Sequence, residues 1–173
     1  METKRNSSHQ SPGANPVLTQ TENNTTLWIG HLQSDTTDHF AGQTFACPAD
    51  GLLNNIQVYS SAVSVPCDLT LTVHEFDENT RTWGQSIGES VLTLEKNDHG
   101  RWLRFALQPV TLRKDANYGF RLHSNNAMIG LGEAAHHSKK PFSFGHAWNG
   151  TSKNIRGYFF DFFSLAFKVE LCA

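Results

Sequence analysis

Residues 67–76 read Cys-Asp-Leu-Thr-Leu-Thr-Val-His-Glu-Phe, and the reading of this stretch decides the fold class. Leu69, Leu71 and Val73 occupy one phase of a period of two, while Thr70, Thr72 and His74 occupy the other. Successive side chains along a strand point to opposite faces, so the stretch is a strand with one buried and one wet face. The same alternation recurs on both sides of it. In RWLRFAL (101–107), Leu103, Phe105 and Leu107 alternate with Trp102, Arg104 and Ala106. In YGFRLHS (118–124), Tyr118, Phe120 and Leu122 alternate with Gly119, Arg121 and His123. The run FSLAFKVEL (163–171) sets Phe163, Leu165, Phe167, Val169 and Leu171 on one expected core face. Shorter runs at 27–32, 42–47, 53–60, 90–96 and 127–132 bring the number of strands to about nine.

Turn residues separate these runs at 48–51, 77–84, 97–100, 114–117 and 124–126. No segment keeps helical periodicity over ten residues. Many short strands with apolar-in, polar-out alternation define an all-β chain, an antiparallel β-sandwich of the jelly-roll type. The expected division is a flexible polar tail or linker over 1–26, rich in Asn, Gln, Ser and Thr, and one sandwich domain over 27–173. With 173 residues, a single core can form without disulfides or metal.

Composition excludes several classes of function. The formal net charge is −2 and basic residues are not clustered, so neither nucleic acid nor an anionic membrane is an expected partner. No apolar run is long enough to span a bilayer. Lys4 and Arg5 are followed by no apolar stretch, so the start does not read as a signal peptide, and the cellular location is left open. Cys47, Cys67 and Cys172 contain no C-x-x-C pair, which removes zinc-ribbon and thioredoxin readings. Buried, inert thiols are expected, with pairing among them undetermined.

One catalytic pattern is present. Gly84-Gln85-Ser86-Ile87-Gly88 has the G-x-S-x-G form of a nucleophile elbow, which requires a strand before the serine and a helix after it. Here a polar turn precedes and a strand follows, so the match reads as chance and no catalytic residue is expected. His136, His137 and His146 form the densest histidine group. Their immediate neighbours Ser138, Lys139 and Lys140 offer no carboxylate to orient an imidazole, so no metal site or other cofactor is expected.

Candidate binding residues come from the polar phases. His74, Trp102, Arg104, Arg121 and His123 would form one outer face if their three strands share a sheet. An indole, two guanidinium groups and two imidazoles would supply stacking and forked hydrogen bonds for a sugar or a carboxylate. The alternative is an ordinary wet sheet with Trp102 covered by a neighbouring aliphatic stem. Trp83 in the 77–84 turn and Trp148 in GHAWNGTS form a second candidate set, as loop platforms or as caps on the core.

Three segments carry a family resemblance. QTFACPADGLLNNIQVY (43–59), GRWLRFALQPVTLRKDANYGFRL (100–122) and PFSFGHAWNG (141–150) with the closing FSLAFKVEL resemble jelly-roll modules of bacterial surface proteins and phage tails. The resemblance extends over about Gly42 to Leu171 and rests on turn and core positions. Where such modules often carry an Asp before the closing strand, this chain has Ser164, with Asp161 three residues earlier. Many such modules are lectin-like, so the resemblance implies a non-catalytic binding module for a glycan or another small molecule. The rival expectation is a structural or assembly module, a homo-oligomer or a component docked on a larger protein.

Overall fold

The structure, a computed structural model, describes residues 16–172. The described chain is all-β and its strands pair antiparallel. In chain order they are β1 (Pro16–Gln20), β2 (Thr25–Gly30), β3 (His39–Ala46), β4 (Gly51–Val63), β5 (Cys67–Asp77), β6 (Thr82–Leu94) and β7 (Arg101–Leu112). They continue with β8 (Asn117–His123), β9 (Met128–Ala135), β10 (Ala147–Thr151), β11 (Asn154–Phe160), β12 (Phe163–Leu165) and β13 (Phe167–Leu171).

Hydrogen-bonded neighbours follow the order β1-β13-β4-β9-β2-β3-β8-β5-β6, with β7 added on β4, β10 on β3, β11 on β10 and β12 on β9. The long strand β4 holds β13 on one edge and β7 on the other, then passes to β9 through an irregular register after Ser60. One layer is therefore built around β7, β4, β13 and β1. The facing layer runs β6, β5, β8, β3, β10 and β11. Their inner faces meet in one core that includes Phe45, Leu71, Phe105, Phe120, Leu122, Phe167 and Val169. The rings of Phe120 and Phe167 touch across the gap at 5.6 Å. Alternation at 67–73, 103–105 and 118–122 therefore placed the core correctly, because burial of one phase is what makes a two-layer sheet stable.

The described residues form thirteen strands where about nine were expected. Residues 1–15 of the expected tail lie outside the described residues. Pro16–Gln20, by contrast, form β1, where pairing with β13 and burial of Leu18 and Gln20 outweigh a polar composition. Strands β10 and β11 arise where a loop was expected around Trp148. Strand β6 starts at Thr82, so the 77–84 turn shrinks to residues 78–81. There the Asp77 carboxylate accepts hydrogen bonds from the backbone N–H groups of Asn79 (2.9 Å) and Thr80 (3.1 Å), and Arg81 takes a left-handed φ of 52°.

The closing run is the clearest correction to the expected core. It breaks at Ala166 into β12 on β9 and β13 on β4. Phe163 is exposed, with its ring against Phe160, because it lies beyond the end of the core. Ser164 is buried instead, and its hydroxyl donates to Gln43 Oε1 at 3.3 Å. The Leu165 N–H donates to the same oxygen at 3.0 Å. Nearby on β9, Glu133 is 95% enclosed, and burial pushes its carboxyl up to about 7. Cys47 and Cys67 are buried and Cys172 is exposed, all three as free thiols. Among the described residues no helix is long and apolar enough to cross a membrane.

Candidate functional site

The strands form one continuous hydrogen-bonded sheet folded into two layers, and the five outer-face candidates do not share one layer. His74 on β5 and Arg121 and His123 on β8 lie on adjacent strands, with Thr72 opposite Arg121. Trp102 and Arg104 belong to β7, which pairs with β4 in the other layer. There, Trp102 meets Tyr59 edge-on at 5.5 Å and Lys168 Nζ stands 4.3 Å over its ring. Arg104 donates to Asn54 Oδ1 at 2.8 Å. A covered indole and a bonded guanidinium leave that face an ordinary sheet surface.

Trp83 and Trp148 are not loop platforms. Trp83 is the second residue of β6, opposite Phe76, and Trp148 is buried in β10. Their rings lie 5.8 Å apart, and both meet Phe76, at 5.2 and 5.5 Å. Phe159 of β11 packs on Trp148 at 5.5 Å. These rings form a second apolar cluster on the outer face of β3-β8-β5-β6, separate from the core between the layers.

The cluster exists because two glycines let it lie flat. A Cβ at Gly119 would sit 2.5 Å from Trp83 Cζ3, and one at Gly42 would sit 3.0 Å from Trp83 Cη2. The indole therefore reaches from β6 across β5 and β8 to β3. Glycine within a strand often marks such a close approach. The signal was present at Gly119, a glycine on the polar phase of 118–124, but nothing local to it names the ring that fills the space.

The β10–β11 hairpin stands against this face as a wall. It hangs from β3, with Gly150 opposite Phe40, and at its far end it is latched to the β5–β6 turn. Arg156 donates from Nη2 to the Thr80 carbonyl (3.1 Å) and from Nε to the Arg81 carbonyl (3.3 Å). The Arg81 guanidinium in turn lies 3.9 Å over the Phe159 ring.

Between hairpin and sheet runs a cleft of about 280 Å³, with a floor of Phe40, His74, Arg121 and His123 and a wall of Ser152 and Ile155. Past Arg121 it continues along Trp83 and Arg156. Arg121 is the centre of it. The guanidinium carbon lies 4.3 Å from the Trp83 ring centre and 4.9 Å from that of Phe40. Its Nε is buried without a hydrogen-bond acceptor. Burial pulls its pKa down to about 10, and no carboxylate among the described residues offsets that effect.

Other charges at the cleft already have partners. Asp38 accepts from His31 at 2.7 Å, and His39 meets Asp35 at 3.1 Å, which holds the Asp35 carboxyl below its ordinary value. His74 lies between Thr72 Oγ1 (2.8 Å) and the Gly84 carbonyl (3.0 Å). Burial first, then the nearby Arg121 charge, lowers its pKa, so the imidazole is neutral at pH 7.

The remaining sequence candidates fall elsewhere. Ser86 sits mid-strand in β6, opposite His74, with its hydroxyl donating to the Gly88 carbonyl at 3.1 Å. His136 and His146 do find carboxylates, but from distant segments: Glu22 at 2.9 Å and Asp161 at 3.1 Å. Asp161 also holds Lys140 at 3.2 Å and so anchors the loop that precedes β10. Sequence reasoning missed Phe40, on β3, and Ile155 and Arg156, which come to the cleft only through the hairpin. No family model matches the chain, and no curated protein matches it in sequence.

Proposed function

We propose that this chain is a non-catalytic, lectin-like binding module that holds a carbohydrate in the cleft between the β10–β11 hairpin and the β3-β8-β5-β6 sheet. The observation that carries this reading is the Arg121 guanidinium, held between Phe40 and Trp83 and turned to a cleft of ring size. Around it stand an imidazole (His123), a hydroxyl (Ser152) and the apolar side chain of Ile155. A sugar ring presents hydroxyls at its rim and C–H groups on its faces, and such a mixture complements both. A broad glycan array followed by calorimetry tests the reading. Binding should appear for the parent and vanish in Trp83→Ala, while Trp102→Ala binds as the parent does. Absence of binding to any glycan would end it.

A second reading, an assembly module, is favoured by strand β11. Among the described residues it pairs with β10 alone, and Ile155 and Tyr158 on it are 67% and 69% exposed. Phe160, Phe162 and Phe163 continue the apolar surface. An open edge of this kind is a template for another strand, and the occupant that fits is a second copy pairing antiparallel along β11. Sedimentation at working concentration should then give twice 19.3 kDa; a monomer would rule this reading out.

A further inference from the structure

The cleft contains a charge that the protein itself leaves unanswered. Arg121 has a buried Nε without an acceptor, and no Asp or Glu among the described residues forms an ion pair with it. A half-buried guanidinium without a counter-charge loses part of its hydration and gains no ion pair in return, and folded proteins often pair such groups. Its two flat neighbours, Trp83 and Phe40, fix the plane of the fork without satisfying any of its N–H donors.

The charged groups around it do not supply the missing partner. Asp38 lines the same cleft but is bonded to His31. His39 is paired with Asp35, and His74 is neutral and bonded on both nitrogens. On the hairpin side, Arg156 adds a second cation, with its N–H groups turned to the carbonyls of Thr80 and Arg81. Arg121 and Arg156 therefore set two cations along the cleft against the one carboxylate of Asp38, which is turned to His31, and the guanidinium of Arg121 keeps planar N–H donors without a protein acceptor.

From this geometry we infer that the ligand carries a carboxylate, and that Arg121 receives it as a two-point fork. A guanidinium matches a carboxylate in plane and spacing, and a single fork neutralises a single negative charge. Resting on the carbohydrate reading above, this makes the ligand an acidic saccharide with one uronate-type or similar carboxylate seated at Arg121. The remaining hydroxyls face His123 and Ser152, and the cleft continues toward Trp83 and Arg156 for a neighbouring ring.

The test compares glucuronate, its methyl ester, glucose and acetate, by NMR of the Arg121 Nε–H and Trp83 indole N–H resonances in the unmodified protein. Glucuronate should shift both resonances and bind at least tenfold more tightly than the ester or glucose. Arg121→Gln should abolish that preference. Equal binding of acid and ester overturns the inference while leaving the carbohydrate reading intact. Equal shifts with acetate and with glucuronate, together with no binding on the glycan array, uphold the carboxylate at Arg121 and remove the carbohydrate reading. Absence of any shift with glucuronate overturns the inference whatever the array shows. The acid–ester comparison needs no variant, so it decides the matter even if Arg121→Gln fails to fold.

Discussion

The two outer faces of the sandwich carry nearly the same side chains and have opposite characters. On the β7-β4-β13 face, Trp102 is capped by Lys168, Arg104 donates to Asn54, and Glu170 accepts from Asn55 (2.7 Å) and Gln57 (3.1 Å). Every strong donor or acceptor named there has a partner. On the β6-β5-β8-β3 face, Arg121 is boxed in by Trp83 and Phe40 with a buried Nε that bonds to nothing. The residue types, a tryptophan and an arginine on polar strand phases, are shared. What separates a surface from a site is whether the demand of each polar group is met within the protein.

The largest test of this contrast is a matched pair of truncations. Trp83→Ala removes the ring that joins Phe76, Trp148, His74 and Arg121, and should cost about 3 kcal/mol in urea unfolding. Trp102→Ala, on the satisfied face, should cost about 1 kcal/mol. Equal costs would erase the distinction between the faces.

Glu133 probes the core that both faces share, and its effect depends on pH in a defined sense. Its folded carboxyl value, about 7, lies above the ordinary 4.5, so the folded state holds the proton more tightly than the unfolded chain does. Stability from this group is therefore full below about pH 4.5 and is lost as pH rises toward 7. Glu133→Gln should gain up to ~3 kcal/mol at pH 8 and nothing at pH 4. A pH-independent difference would contradict the assignment to this carboxyl.

Gly119→Ala asks whether the flat seat of Trp83 is required. The added methyl falls 2.5 Å from the indole, so the ring must shift, at a cost of about 1–3 kcal/mol. The shift should also displace Arg121 and weaken glucuronate binding. An unchanged Trp83 indole resonance in Gly119→Ala would show that the seat is not needed. Smallest of all should be Arg104→Ala, whose exposed bond to Asn54 is worth less than about 0.5 kcal/mol. A loss of ligand binding in that variant would place a working site on the wrong face.

How much of this was legible before folding differs from one residue to the next. Leu69, Leu71, Val73, Phe105 and Phe120 were readable as core because alternation over five or more residues is a local property. Phe163 misled for the complementary reason: it keeps the right phase, but the core ends before reaching it. Strand β1 was hidden in polar sequence, since the stability of a two-apolar-residue strand comes from β13 beside it. Of the seven binding candidates, His74, Trp83, Arg121 and His123 come together around the cleft, and Trp148 supports them from below. Trp102 and Arg104 were grouped with them by phase alone. Phase tells which side of its own strand a residue takes, but carries no information about which strands are neighbours.

By itself the sequence determined that this chain is β throughout, which faces of its strands are buried, and that an aromatic and cationic set lies on the polar phases. Those outcomes follow from period-two geometry and the cost of leaving apolar side chains in water, both of which act within a few residues. Only the tertiary structure decided that β5 and β8 lie side by side in one layer while β7 lies in the other, and that a hairpin from residues 147–160 closes over two glycines and an indole. It alone decided that Arg121 would be left without an acceptor, because pairing is a contact between residues far apart in the chain, and no local rule specifies who will be missing.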